Sequence, residues 1–194
     1  RAGRTLKTGQ TAEFVLEVLD SADVEPQAAD VNDLFDTTAE FWRSWLAQSR
    51  YQGRWREMVT RSAITLKLLT HEPSGAVVAA ATTSLPEHIG GQRNWDYRYC
   101  WAREDTFVHS AFVNAGYRDE ATAWRDWVRR AVAGSPDQLQ VLYSIAGERR
   151  LEEYELGWLD GYEGAKPVRV VMGPRYNRVD ADQLMGHLFA TTDM

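Results

Sequence analysis

Residues 90–107 read GGQRNWDYRYCWAREDTF, and this stretch governs how the rest of the chain is understood. Between Trp95 and Trp101 four of seven residues are aromatic. Three arginines (Arg93, Arg98, Arg103) and three acids (Asp96, Glu104, Asp105) are interleaved with them. Two readings follow. Flat apolar ring faces set among bidentate hydrogen-bonding groups suit a pocket for a polyhydroxylated ring. The same composition also suits a buried aromatic cluster whose charges are paired. Composition alone does not choose between them.

Outward from the motif, the 194 residues are enough for one domain with a core rather than several. Hydrophobic residues at 44% and charged residues at 26% are ordinary for a globular chain and exclude a fibre or a disordered tail. A net charge of −6 and a pI near 5.3 argue against nucleic acid or an anionic membrane as partner. Cys100 is the one cysteine, so no internal disulfide can form and a reducing compartment is compatible. No apolar run approaches transmembrane length, and RAGRTLKTGQ lacks the apolar centre of a signal peptide. A cytoplasmic location is the expectation, although a chain opening on Arg1 says little about it.

Taken in order, TAEFVLEVLD (11–20) alternates partly and predicts a strand, and the polar run SADVEPQAADVND offers a domain boundary. Thr37 or Thr38 can cap a helix that presents Phe41, Trp42 and Trp45 and ends near Ser49, with Glu40 near the capping-box position. Trp55, Val59, Ala63, Leu66 and Leu69 keep helical spacing, widened by Met58, Ile64 and Leu68, until Pro73 and Gly75 stop the helix. AVVAAATTSLPE reads as a buried extended segment running into a loop. A third helix is expected from Asp105 to Gly116 with Phe107, Val108, Ala111, Phe112 and Ala115 as its apolar set. A fourth runs from about Asp119 to Ala133, with Ala121, Trp124, Val128 and Ala131 inward. Gly147, Gly157, Gly161 and Gly164 break the following stretch into loops, and 180–190 is a further helical candidate. Helices in consecutive pairs joined by long loops suit stacked hairpins whose loops gather at one end.

Several chemistries drop out. There is no G-x-S-x-G, no G-x-x-x-x-G-K-[ST] and no H-E-x-x-H. His71, His88, His109 and His187 lack metal-ligand spacing and read as surface or loop residues, so no metal and no cofactor is expected. Cys100 reads as a small buried hydrophobe, and the Arg129-Arg130 and Arg149-Arg150 pairs as solvated charge. Glu104 and Asp105 are adjacent on a helix start, so they point about 100° apart and cannot flank one bond from both sides.

The run RSAITLKLLTHEPSGAVVAAATTSLPEHIGGQRNWDYRYCWARED (61–105) closely resembles bacterial members of glycoside hydrolase family 15, which contains glucoamylases, glucodextranases and a group of trehalases. The resemblance extends through FWRSWLAQSRYQGRW upstream and LQVLYSIAGERRLEEYELGWLDGYEGAKPVR downstream. It implies a mainly α fold: the first few helices of an incomplete (α/α)6 barrel, preceded by a remnant strand of a β-sandwich and a linker helix. On that basis residues 1–24 are the sandwich remnant, 25–53 the linker and 54–194 the barrel segment. The resemblance implies hydrolysis of terminal α-glucosidic bonds with inversion by two glutamates, separated by roughly 6.5–9.5 Å. Neither glutamate is expected within this chain.

The family's aromatic-W-x-R-D motif falls on Tyr97, Trp101 and Arg103, which the resemblance makes a stacking platform and a hydroxyl-binding group of a glucose subsite. Where the family has Asp, this chain has Glu104, then Asp105; the extra methylene moves the carboxylate by about 1.5 Å. After Arg169 the sequence leaves the family pattern. The expected partner is an α-glucoside or oligosaccharide. The alternative is a truncated relative that binds sugar without catalysis or is a relic. The isolated 194 residues are expected to be inactive and, with the 55–69 stripe uncovered, prone to aggregate.

Overall fold

The computed structural model describes residues 5–16, 30–82, 85–132, 139–149, 151, 154–159, 161–166 and 169–170. The chain divides into two compact units, Arg1–Gln48 and Ser49–Met194.

The first unit carries α1 (Val31–Leu46). Its cap is Asp30, whose carboxylate accepts the Asn32 N–H at 2.8 Å. The helix therefore starts six residues before Thr37, and both threonines lie inside it rather than at its start. An Asx residue with extended φ/ψ satisfies an orphan N–H as well as a threonine does, and the apolar pattern alone could not show that the helix reaches so far back. Phe41, Trp42 and Trp45 meet edge to face along it, at 5.3 and 5.8 Å between ring centroids. Residues 11–16 carry no strand, because no partner segment pairs with them among the described residues. Residues 17–20 of the expected strand, and the 180–190 helix, lie outside the described residues.

The second unit holds α2 (Arg56–Leu68), β1 (Cys100–Trp101), α3 (Ala102–Ala115), α4 (Arg118–Ala131), β2 (Leu142–Tyr143), β3 (Tyr154–Glu155), a 3-10 turn at Tyr162–Gly164, and β4 (Arg169–Val170). The pairs β1–β2 and β3–β4 are antiparallel, with Cys100 opposite Tyr143 and Tyr154 opposite Val170. The unit is mainly helical, as the sequence resemblance implies.

α3 and α4 form a hairpin closed by Gly116, whose φ of 102° lets its N–H cap the Phe112 carbonyl. α4 buries Ala121, Trp124, Val128 and Ala131, the set its period predicts, and adds Trp127 and Glu120. Trp124 and Trp127 sit with Ala76, Val77, Cys100, Ala102, Leu139 and Tyr143 in the main core. The Trp127 indole donates to the Ile145 carbonyl at 2.9 Å, and Arg149 Nε donates to the Ala131 carbonyl at 3.0 Å. Arg149 thus ties down the end of α4 instead of standing free in solvent.

α3 departs from expectation. Its buried residues are Ala102, Asp105, Thr106, His109 and Phe112, while Phe107 is 61% exposed. The inward face is partly polar: of the expected apolar set Phe112 is buried and Val108 packs against the core, while Phe107 and Ala111 are exposed. His109, expected at the surface, lies on this inward face with its ring stacked on Trp124 at 4.7 Å. α2 buries only Ala63; Trp55, Met58 and Leu68 are exposed, and an apolar groove of about 420 Å3 runs between α2 and α3. No described helix is long and apolar enough to cross a membrane.

Candidate functional site

Small residues let the segment after α2 run extended; it is buried at Ala76 and Val77 and exposed at Ala79, Ala81 and Thr82, so the expected burial holds only for its start. Val78 N–H bonds the Leu69 carbonyl at 3.0 Å, and Ala79 and Ala80 donate to the Tyr99 and Tyr97 carbonyls, each at 3.0 Å. Tyr97 N–H closes the same ladder on Thr82 at 3.3 Å. The motif from Tyr97 to Trp101 is thereby held extended, and alternation along it separates the odd-numbered residues from the even. Tyr97, Tyr99 and Trp101 are half-buried; Asp96 and Cys100 are fully buried.

Tyr97 and Trp101 face each other with ring centroids 5.8 Å apart, tilted by 31°. Tyr97 is held from its far end. Its hydroxyl donates to Glu87 Oε1 at 3.1 Å, and Arg93 Nε sits 3.0 Å from the other oxygen of the same carboxylate. Burial, then the Glu87 carboxylate, raise the Tyr97 phenol above its ordinary pKa. Asp96 accepts from the Arg98 backbone N–H at 3.0 Å and from its guanidinium at 3.0 and 2.8 Å. That two-residue loop of hydrogen bonds explains how a fully buried carboxylate is tolerated, and it raises the Arg98 pKa. Asn94, also buried, donates to the Lys166 carbonyl at 3.0 Å, and Lys166 N–H returns to the Gly91 carbonyl at 3.2 Å.

Trp101 is both the end of β1 and the N-cap position of α3, so the aromatic wall passes directly into a helix start. Arg103 and Glu104 occupy the first turn. Arg103 Nε donates to Glu104 Oε1 at 3.2 Å and Nη2 bonds the same oxygen, an arrangement that raises the arginine pKa. Both side chains remain substantially exposed. Asp105 does not join them: it is 2% exposed and faces the core. Desolvation lifts its carboxyl well above the usual carboxylate range. Cys100 is wholly buried, and burial pushes its thiol up and leaves it a poor nucleophile.

Of the residues the sequence singles out, Tyr97 and Trp101 are brought into ring contact and Arg103 and Glu104 into an ion pair. Glu87, Asn94 and Lys166 are not among them and Asp96 appears there only as an acid of the motif, although all four shape the wall. Asp96 two residues before Arg98 is a local signal of their pairing; Glu87 and Lys166 act across loops and leave none. Among the described residues no cluster of His, Cys, Asp and Glu could hold a metal ion. Chemically, the arrangement offers aromatic faces, the exposed guanidinium groups of Arg93, Arg98 and Arg103, and a Glu104 carboxylate whose Oε1 is held by Arg103 and whose Oε2 is buried.

The sequence model of Glycosyl hydrolases family 15 matches residues 53–183. The chain is 43% identical over 133 residues to a trehalase of Thermoplasma acidophilum, covering 69% of this chain and 22% of that protein. It is 41% identical over 162 residues to a trehalase of Mycobacterium tuberculosis, covering 81% of this chain and 24% of that one. A shorter similarity, 57% over 35 residues, links 18% of this chain to 5% of a DNA topoisomerase 4 polypeptide of Haemophilus influenzae. No solved structure matches. The chain belongs to glycosyl hydrolase family 15. It spans about a fifth to a quarter of the length of the trehalases it resembles.

Proposed function

We propose that this chain is part of a glycoside hydrolase that cleaves terminal α-glucosidic bonds with inversion, and that residues 90–104 form the wall of its glucose subsite. The observation that carries this is the Tyr97–Trp101 ring pair leading within two residues to the Arg103–Glu104 pair at the start of α3. The apolar C–H face of a pyranose lies against such rings, while Arg103 donates to its hydroxyls and Glu104 accepts from them. Trehalose is the first substrate to test, since that is the name its relatives carry.

Inverting hydrolysis needs a carboxylic acid and a carboxylate roughly 6.5–9.5 Å apart, with water between them and the bond. The carboxylates near the wall are committed elsewhere: Glu87 to Tyr97 and Arg93, Asp96 to Arg98, Glu104 to Arg103, while Asp105 is buried. The catalytic pair is therefore assigned to the part of the longer relatives that this chain does not span. No metal or other cofactor enters the scheme, since two carboxyl groups suffice for the proton transfers.

One feature favours a second reading, a sugar binder without catalysis: Glu104 is longer than the family's Asp and is already held by its own neighbour. One experiment separates the two. A chain extended to the length of the trehalases is assayed for glucose release from trehalose, maltotriose and isomaltotriose. Release supports the hydrolase; binding of the sugars with no release supports the second reading, and neither binding nor release removes both.

A further inference from the structure

The first turn of α3 splits its side chains between two environments. Arg103 and Glu104 reach solvent, and Asp105, 100° further round, is driven into the core at 2% exposure. Its neighbours there are unusual for a carboxyl. The Trp124 indole on α4 is 0% exposed, and Cys100 on β1 is 0% exposed and near enough that the carboxyl's charge acts on its thiol. One turn along α3, His109 stacks on the same indole at 4.7 Å. Thr106 folds back on the Ala102 carbonyl at 2.7 Å. Neither Asp105 Oδ2 nor the Trp124 N–H has a formed hydrogen bond among the described residues.

We infer that Asp105 is a positioning residue: its buried carboxyl, set against Trp124 and Cys100, fixes the rotation of the first turn of α3 and so the outward presentation of Arg103 and Glu104. Successive residues on a helix are locked about 100° apart, so holding Asp105 inward leaves Arg103 on the opposite side. The enclosed carboxyl and the exposed guanidinium, about 200° apart on the same turn, are coupled by the helix, so turning one outward turns the other inward. Burial favours the protonated form of this carboxyl. Desolvation raises it well above its ordinary value and the nearby Glu104 raises it further, opposed by the Trp124 N–H. The groups that act on it are Glu104 on α3, Cys100 on β1 and the Trp124 indole on α4; His109 on α3 stacks on that same indole, and Glu120, a turn before Trp124, is held by Lys67. The inference concerns the fold of α3 and stands whether or not the wall binds sugar.

The sign of the pH effect follows. Below about pH 4 the group is protonated in both states; as pH rises the unfolded chain ionises first, so the stability tied to Asp105 is lost up to its raised folded pKa and is level beyond it. The test compares the dilute 194-residue chain with Asp105→Asn, Asp105→Ala and Asp105→Ser, following Tm from about pH 4 to 7 and the Arg103 Nε–H resonance by NMR. Asp105→Asn is expected to keep the Arg103 resonance and to gain Tm relative to the parent as pH rises. Asp105→Ala, or Asp105→Ser if alanine does not fold, is expected to lose or broaden it. An Asn variant whose Tm tracks the parent at a constant offset across pH overturns the inference, as does a truncated variant with an unchanged Arg103 signal. Should neither truncated variant fold, the Asn comparison alone decides.

Discussion

Lys67 Nζ lies 2.8 Å from Glu120 Oε1 and joins α2 to α4 across 53 residues of sequence. The glutamate is 6% exposed and the lysine 20%, so water screens this pair less than the surface pairs of the chain. Breaking a buried pair from one side strands the other charge. Lys67→Met is therefore expected to cost about 3 kcal/mol in urea unfolding. Lys67→Met with Glu120→Leu is expected to recover most of that loss. A single variant as stable as the parent shows that the pair contributes nothing.

Gly75 turns the chain after α2 at a φ of +82°, and a Cβ there would run into the Ala123 backbone carbonyl on α4. Strain and overpacking act together, and Gly75→Ala is expected to cost about 3 kcal/mol. Thermal unfolding by circular dichroism checks this. An unchanged Tm means that the turn and α4 are further apart than described.

Cys100 is wholly enclosed by the core. Its alkylation by a maleimide is expected to be at least about a hundredfold slower in the folded chain than in urea, since reaction waits on opening of the unit. Labelling at the rate of a free thiol in native buffer contradicts the packing of β1.

Met58 is 66% exposed beside the apolar groove between α2 and α3. Met58→Lys is expected to raise the concentration at which the 194-residue chain stays monomeric, with stability changed by less than about 0.5 kcal/mol. Light scattering is the measure, and equal aggregation by both proteins places the sticky surface elsewhere.

Glu104→Asp shortens the carboxylate by one methylene and frees it from the close Arg103 contact. In a catalytic, longer form of the protein this change is expected to raise kcat/KM on trehalose about tenfold, or ~1.4 kcal/mol. A lower value means that the glutamate is already suited to its ligand.

Much of α4 was legible because its inward residues are apolar and keep a 3.6 period, so Ala121, Trp124, Val128 and Ala131 identify themselves. Gly116 marks a helix end for a similarly local reason, its positive φ. α3 was legible in extent and in part in orientation: Phe112 and Val108 mark the inward side, but Asp105, Thr106 and His109 carry no apolar signal while the exposed Phe107 does. The aromatic wall was legible as a cluster of Tyr97, Trp101, Arg103 and Glu104. Its supports were not: Glu87 reaches Tyr97 from ten residues away and Lys166 reaches Asn94 from 72. Hydrogen bonds across loops leave no periodicity in a sequence.

The Asn94–Lys166 bond also has a consequence in time. Chains are made from the N-terminus at about 5–20 residues per second, and local pairs close before distant ones. The α3–α4 hairpin can form as soon as Ala131 leaves the ribosome. The loop at 91–94 cannot take its final shape until Lys166 has emerged to receive it. The loop before the wall therefore sets after the wall itself, whose partners at 79–82, Glu87 and Leu142 all emerge earlier, and a synthesis pause before residue 166 would leave Asn94 without its acceptor.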